Sequence, residues 1–269
     1  MFSIVICSRD DHRFAAVAKM YRRLLADRDV EVIRVADARS LAEGYNRAVR
    51  QSQGDVLILS HDDVEILSPG FADRVEAHLD RFDVVGVAGT SRLVHAKWAA
   101  AGAPYIFGQV AYPQRDSSGY TVAIYGVPSR AVGEIQAMDG LLLAARRTVL
   151  DQVTFDAETF DGFHLYDLDF TFRAYRAGFS LGVANDLYVL HESGGDYGAS
   201  WLPYARRLIH KHGIDLSPSR RPMWHRWAVV EVLSREQVIE VMTPAYWDAE
   251  ADGPKPAPGG AGHVMSASA

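Results

Sequence analysis

Three short segments carry the residues that are most capable of chemistry in this sequence. The first is His61-Asp62-Asp63, which follows a run of apolar or small residues at 56–60. Adjacent carboxylates repel one another unless a cation offsets their charge. Carboxylate oxygens are the ligands that Mg²⁺, Mn²⁺ and Ca²⁺ prefer. A polar turn that caps the next helix explains the segment equally well, because Asp is common in turns.

The second segment is Tyr166-Asp167-Leu168-Asp169, at the start of a predicted helix. Asp167 and Asp169 are two residues apart, so they do not share one helix face. A carboxylate in a first turn is favoured by the positive end of the helix dipole, which accounts for one of the two acids. The other can lie in a cleft and act as a general base that deprotonates a hydroxyl.

The third segment is a histidine at the end of an apolar run, His191, followed by Gly194-Gly195. A histidine in this position is most simply a hydrogen-bonded structural residue. The glycine pair favours a functional role for His191, because it allows the backbone to approach a ligand closely. If the strands form one parallel sheet, the three segments converge at its carboxyl edge, where α/β sheets bind ligands.

The order of predicted elements is typical of an α/β protein. Apolar runs and capping signals predict strands and helices in alternation. The predicted strands are 2–8, 30–35, 55–60, 83–88, 179–184 and 187–191, and the predicted helices are 13–26, 40–53, one opened by Ser68-Pro69, 167–177, 199–212 and one starting near Ser234. This order predicts a mostly parallel sheet with helices on both faces. No dinucleotide fingerprint or Walker A motif follows the first strand.

Composition narrows the functional classes. The chain has 269 residues and a net charge of -6, which argues against general nucleic-acid binding. Its one cysteine, Cys7, lies in an apolar run and is expected to be a core residue in a reducing compartment. No leader or membrane-spanning run is evident, so we expect a cytoplasmic protein. The basic and aromatic residues at 220–227 allow peripheral membrane contact, although packing of their tryptophans on the core is favoured.

Six segments together resemble the GT-A-fold glycosyltransferases of the family 2 type. Between Phe2 and His212 they are IVICSRD, LAEGYNRAV, LILSHDDVEI, MDGLLLAARR, YDLDFTFRAYRAGF and VLHESGG. Each is degenerate alone, but their order and spacing are specific. The resemblance implies a GT-A fold, a nucleotide-sugar donor (most simply a UDP-sugar), an acceptor of unknown class and a divalent cation, Mn²⁺ or Mg²⁺.

The resemblance also implies roles for individual residues. The metal-binding motif of the family matches Ser60-His61-Asp62 followed by Asp63, with Ser60 in place of the first acid, and Tyr166 stands where the family has a Glu. The implied metal ligands are Asp62, Asp63 and His191; the implied base is Asp167; the implied nucleotide-site residues are Ser8, Arg9, Asp37, Asn46 and Asp62; the implied residues at the donor–acceptor junction are Asp139, Gly140 and Asp169.

These roles imply a single displacement with inversion at the anomeric carbon. A retaining transferase would share the metal site without needing the base. A nucleotidyltransferase would need a basic glycine-rich loop after the first strand, and residues 8–13 do not supply one. A non-catalytic nucleotide- or sugar-binding module is favoured only by the two departures at Ser60 and Tyr166.

The expected organisation is a catalytic unit followed by two short regions. The catalytic unit spans 1–214, with a nucleotide-sugar half at 1–90 and an acceptor half at 91–214. The weakly periodic residues 90–138 within it are expected to form a substrate-specific insertion. A helical extension at 215–248 and a disordered Gly-Pro-Ala-Ser tail at 249–269 follow.

Overall fold

The structure, a computed structural model, describes residues 1–114, 118–126, 129–195, 197–214 and 227–244. The strands are β1 (Phe2–Cys7), β2 (Val30–Val35), β3 (Val56–Ser60), β4 (Val64–Ile66), β5 (Val84–Gly86), β6 (Ala88–Thr90), β7 (Ile106–Pro113), β8 (Tyr120–Tyr125), β9 (Ala131–Val132), β10 (Ala137–Met138), β11 (Leu142–Arg146), β12 (Leu181–Ala184), β13 (Val189–His191) and β14 (Trp227–Val232). The helices are α1 (Asp11–Leu24), α2 (Leu41–Gln51), α3 (Phe71–Leu79), α4 (Arg147–Gln152), α5 (Tyr166–Arg176), α6 (Leu202–His212) and α7 (Arg235–Met242), with a 3₁₀ turn at Trp98–Ala101.

The central sheet has the strand order β2-β1-β3-β11-β5-β12-β9. The pairs β2-β1, β1-β3 and β5-β12 are parallel, whereas β11 and β9 run against their neighbours. Consecutive residues of β1 are buried, so both faces of the sheet are covered. The predicted α/β fold with a mostly parallel central sheet is therefore confirmed.

A second sheet is built largely from the predicted insertion. Its strands follow the order β10-β6-β7-β13-β4, and β8 extends it from β7. Strand β13 runs antiparallel to β4 with His191 opposite Val64. This register brings His191 next to the connection between β3 and β4, which carries the first acidic segment.

The third helix begins later than Ser68-Pro69 predicts. Helix α3 starts at Phe71, and its cap is Gly70 in the left-handed region at φ 61°. The Ser68 hydroxyl instead accepts the backbone N–H of Tyr188 at 2.5 Å. Ser68 is buried, and a buried backbone N–H needs a partner, so this contact takes the oxygen that the helix cap would have used.

The predicted helical extension at 215–248 is wrong in its first described part. Strand β14 pairs antiparallel with β8 over its whole length. The run WAVVEV is rich in β-branched residues, which favour a strand over a helix. The helix predicted near Ser234 is confirmed, because the Ser234 hydroxyl caps α7 by accepting the Gln237 N–H.

Two other predictions fall mainly outside the described residues. The tail at 249–269 lies outside them, and so does the basic and aromatic segment at 220–227, except for the backbone of Trp227 in β14. Among the residues that the structure describes, no helix is both long enough and apolar enough to cross a bilayer.

Candidate functional site

Two histidines and one carboxylate meet where β3 leads into β4 and β13 ends. One ligand atom from each of His61, Asp63 and His191 lies within 4.8 Å of the others. The Asp63 Oδ1 atom is 3.2 Å from His191 Nε2 and 3.9 Å from His61 Nδ1. His61 and Asp63 are two residues apart in the turn between β3 and β4, and this turn brings both side chains to His191.

Burial and mutual charge set the electrostatics of this cluster. Burial alone would raise the pKa of Asp63, but the hydrogen bond and charge of His191 outweigh it and hold that pKa well below its usual range. Burial would also lower the pKa of His191, and Asp63 reverses this and raises it. Burial and the neighbouring His191 lower the pKa of His61. The cluster therefore contains an ionised Asp63 carboxylate and one histidine, His61, that readily loses its proton.

Asp62, one of the three implied metal ligands, lies outside this cluster. Its carboxylate is 4.0 Å from the Arg13 guanidinium. Ser60 is fully buried and its hydroxyl accepts from Tyr21 at 2.9 Å. His61 and Asp63, rather than Ser60 and Asp62, thus lie beside His191. The ligand role of Asp62 stays a prediction. His61 was not predicted from the sequence as a metal ligand, although its position two residues before Asp63 was the available signal.

A cleft of about 550 Å³ contains the predicted base and two members of the cluster. Asp167 lies at the start of α5, and its Oδ2 accepts the Gly140 N–H at 2.7 Å. Asp139 lines the same cleft and accepts the Trp98 indole N–H at 3.1 Å. Burial and the nearby charge of Asp139 raise the pKa of Asp167 to about 7. A carboxylate with such a pKa is well suited to general base catalysis near neutral pH.

Aromatic side chains form much of the wall of this cleft. They come from the insertion, from the segment before α5 and from the segment before α6: Trp98, Tyr112 and Tyr125; Phe163; and Tyr197 and Trp201. The Trp98 and Tyr125 rings meet edge to face at 5.0 Å, and the Tyr197 and Trp201 rings meet similarly at 5.5 Å. Rigid amphipathic rings above a polar floor suit a ligand with both apolar faces and hydroxyl groups.

A second cavity of about 440 Å³ adjoins the cleft and shares His61 and Phe163 with it. Three of the residues that the resemblance assigns to a nucleotide site line this cavity: Ser8, Arg9 and Asp62. Arg9 is held there by the Ala38 carbonyl, which its guanidinium contacts at 3.0 Å.

Two other residues predicted at the nucleotide site have different surroundings. Asp37 is exposed and forms an ion pair with Arg47 at 2.6 Å. The Asn46 side-chain amide donates to the Phe155 carbonyl at 2.7 Å and accepts the Phe155 N–H at 2.8 Å. Neither residue lines the second cavity, because each side chain is engaged elsewhere.

Asp169, predicted at the donor–acceptor junction, is a fully buried anchor instead. Its carboxylate contacts Lys211 at 2.6 Å, His212 at 2.8 Å and Arg173 at 2.8 Å. It has no exposed surface and does not line the cleft. These contacts join α6 to α5, so Asp169 holds the helix whose first turn carries Asp167.

A comparison of the sequence with known families identifies the family of the chain. Residues 3–204 match the glycosyltransferase-like family. The chain belongs to this family. The predicted family is thereby confirmed, and glycosyl transfer is the class of reaction that the family name denotes. No curated protein matches the chain.

Several solved structures resemble this glycosyltransferase-like protein at low sequence identity. GalNAc-T7 with UDP, GalNAc and Mn²⁺ is 13% identical, with a TM-score of 0.48 over 78% of this chain and 47% of that chain. The mannosyltransferase PcManGT from Pyrobaculum calidifontis with GDP-Man and Mn²⁺ is 10% identical, with a TM-score of 0.44 over 95% and 76%. S. aureus TarS 1-349 is 12% identical, with a TM-score of 0.40 over 81% and 75%. The chain thus spans less than half of the GalNAc-T7 chain.

Proposed function

We propose that this protein transfers a sugar from a nucleotide-sugar donor to an acceptor hydroxyl with inversion at the anomeric carbon. The observation that carries the proposal is the position of Asp167, whose pKa is raised to about 7, in the cleft that also contains His61 and His191. A proton acceptor and a set of metal ligands that face one cleft are the two groups that this reaction needs.

The ligand cluster fits a divalent cation. His61, Asp63 and His191 offer two imidazole nitrogens and one carboxylate oxygen. Mg²⁺ prefers oxygen ligands and octahedral water, whereas Mn²⁺ and other transition metals accept imidazole. We therefore favour Mn²⁺ over Mg²⁺. Bound there, the cation would act as a Lewis acid that offsets the charge of the leaving nucleoside diphosphate.

The protein's own groups perform the other steps. The second cavity, with Ser8 and Arg9, would bind the nucleotide, for which we favour UDP. The aromatic cleft would bind the acceptor and exclude water from it. The Gly140 N–H fixes one oxygen of Asp167 at 2.7 Å, and the carboxylate would accept the acceptor's proton as the hydroxyl attacks.

The two cavities also support the predicted division of the catalytic unit 1–214. All residues lining the second cavity come from the first 63 residues except Phe163. All residues lining the cleft lie between 96 and 201 except His61. We therefore propose donor binding in the half 1–90 and acceptor binding in the half 91–214, in a cytoplasmic enzyme.

A transfer assay tests the proposed function. The purified full chain is incubated with a panel of nucleotide sugars and Mn²⁺, and release of nucleoside diphosphate is measured with and without acceptor glycans. We expect Asp167→Asn to lower turnover by about 10²-fold or more, because general base catalysis contributes about that much. The exposed Asp151→Asn is the matched control and should be neutral.

Three results would contradict the proposal in different parts. Near-normal turnover of Asp167→Asn would exclude it as the base. Full activity after exhaustive chelation would exclude the metal role. A product that keeps the donor's anomeric configuration by NMR would replace the inverting mechanism with a retaining one.

A further inference from the structure

Tyr166 stands at the position where the resemblance predicts a carboxylate, yet it contacts the metal-site candidate directly. Its hydroxyl is 2.9 Å from Nε2 of His61. From this contact we infer that Tyr166 is a positioning residue, which holds His61 in the tautomer that can bind a divalent cation through Nδ1. The inference rests on the proposed metal role of His61, Asp63 and His191.

The two nitrogens of the His61 ring face different partners. Nε2 meets the Tyr166 hydroxyl, whereas Nδ1 lies 3.9 Å from Asp63 Oδ1. That same oxygen is 3.2 Å from His191 Nε2. Nδ1 is therefore the His61 atom nearest the other candidate ligands, and Nε2 is occupied by the tyrosine.

The surroundings of the Tyr166 hydroxyl decide which nitrogen carries the proton. A neutral imidazole has one N–H donor and one bare acceptor nitrogen. The hydroxyl has an acceptor of its own, the Gly140 carbonyl at 3.5 Å. When it donates to that carbonyl, its oxygen accepts from Nε2–H of His61, and the bare lone pair is left on Nδ1. A metal-binding histidine typically donates its other N–H to a fixed acceptor in this way.

The opposite tautomer of His61, with the proton on Nδ1, makes weaker hydrogen bonds. If Tyr166 donated to Nε2, the proton would be on Nδ1 and would point towards Asp63. The distance of 3.9 Å between Nδ1 and Asp63 is too long for a good hydrogen bond. The Gly140 carbonyl would also lose its contact with the hydroxyl.

Packing keeps the tyrosine in place. Tyr166 is 3% exposed, and its ring lies 5.6 Å from Tyr45 and 6.0 Å from Phe155. It is the first residue of α5, and Leu165 before it has φ 62°, a conformation that costs free energy in a branched residue. A Cβ at Gly140 would be 2.6 Å from the Tyr166 hydroxyl, so only glycine leaves room for the hydroxyl there.

The experiment combines imidazole ¹⁵N NMR with Mn²⁺ titration of the full chain. The wild type is compared with Tyr166→Phe and with Tyr188→Phe, which removes the hydroxyl of an equally buried ring whose partner is Thr243. His61→Ala identifies the His61 signals. We expect Nε2–H, with a bare Nδ1, in the wild type and Tyr188→Phe, and mixed tautomers in Tyr166→Phe. We expect Tyr166→Phe to weaken Mn²⁺ binding about 10-fold or more, and Tyr188→Phe to leave it unchanged.

The outcomes separate this inference from the proposed function. An Nδ1–H tautomer in the metal-free wild type overturns the inference, and that measurement needs no variant to fold. Unchanged Mn²⁺ affinity in Tyr166→Phe, together with lost binding in His61→Ala, overturns the inference and leaves the metal site standing. Unchanged Mn²⁺ binding in His61→Ala and Asp63→Asn overturns the metal site itself.

Discussion

At the scale of single residues, Asp167 and Asp139 form an electrostatic pair in one cleft. Burial and the charge of Asp139 together raise the pKa of Asp167 to about 7. Asp139 is itself held by the Trp98 indole N–H and the Leu141 backbone N–H. A base that titrates near neutral pH makes the reaction rate sensitive to pH in that range.

The first prediction concerns this pH dependence. The base acts only when ionised, so kcat/KM should rise as pH passes about 7 and level off above it. Asp139→Asn removes the negative charge that raises the Asp167 pKa, so the rise should move to lower pH. Asn keeps nearly the same shape and one acceptor oxygen, so it can retain one of the two N–H contacts. Unchanged pH profiles from pH 5 to 9 would show that Asp139 does not act on the base.

The same pKa has a consequence for stability. The folded-state pKa of Asp167 exceeds its ordinary value, so the carboxyl stabilises the fold fully only below about pH 4. That contribution is lost as pH rises through about 7. Asp167→Asn should therefore be more stable than wild type at pH 8, by about 2–4 kcal/mol, and similar to it at pH 4. Urea unfolding at the two pH values measures the difference, and equal differences at both would contradict it.

A third prediction concerns the space beside Asp167. A Cβ at Gly140 would lie 2.6 Å from the Asp167 Cβ and from the Tyr166 hydroxyl. Gly140→Ala should displace the start of α5 and destabilise the fold by about 1–3 kcal/mol. Gly194 also lines the cleft but has open space around its Cα, so Gly194→Ala is the matched control. Similar free energies of unfolding for both variants would refute the steric argument.

At the scale of secondary-structure elements, the position of α5 depends on a buried ionic cluster. Asp169 has no exposed surface and contacts cations on α5 and α6. Lys211 also contacts Asp156 at 2.6 Å, which ties α6 to the segment before α5. The helix that carries Asp167 is therefore fixed from the side away from the cleft.

The fourth prediction tests this anchor. Asp169→Asn leaves the partly exposed Arg173 and Lys211 without this carboxylate and should cost about 1–3 kcal/mol of stability. Asp161→Asn breaks an exposed ion pair with Arg207 and should have little effect on stability, because solvent screens such pairs. Donor affinity, measured by calorimetry below the unfolding transition, should stay unchanged in both. A large loss of donor affinity with little loss of stability in Asp169→Asn would restore its predicted role at the substrate.

At the scale of the whole molecule, a cluster of buried apolar side chains joins the C-terminal segment to the site. Val238 and Met242 of α7 are buried against Ala111, Tyr188 and Leu190. Gln109 adds a hydrogen bond to the Met242 carbonyl at 3.1 Å. Because Leu190 precedes His191, this cluster supports the strand that carries a candidate metal ligand.

The fifth prediction follows from that cluster. Met242→Ala should destabilise the fold by about 2–5 kcal/mol, because it leaves a cavity in a buried cluster. Leu233→Ala, at a side chain that is 77% exposed, should change stability by about 0.5 kcal/mol or less. Thermal or urea unfolding measures both. Equal effects would show that α7 is not part of the cooperative fold.

Local sequence patterns were sufficient for most elements and for the family. The central strands are continuous apolar runs, and α2 and α7 open at serine caps that the sequence marks. Asp63, His191 and Asp167 were predicted at the site because each lies at the end or the start of such an element, and the structure places them near one cleft. These features depend on neighbours within a few residues, which is why a single sequence reveals them.

Tertiary structure alone decided which polar residues face the site. His61 and Asp63, rather than Asp62, point to His191 because β13 pairs with β4 in one particular register. Asp169 contacts Lys211, 42 residues further along the chain, and Asn46 contacts Phe155, 109 residues further along. Both residues were predicted at the site, but in the structure their side chains connect parts of the fold that are distant in sequence. The sequence by itself determined the fold class, the family and the segments in which a site was predicted. Long-range packing decided the surroundings of each side chain, because partners distant in sequence leave no local pattern.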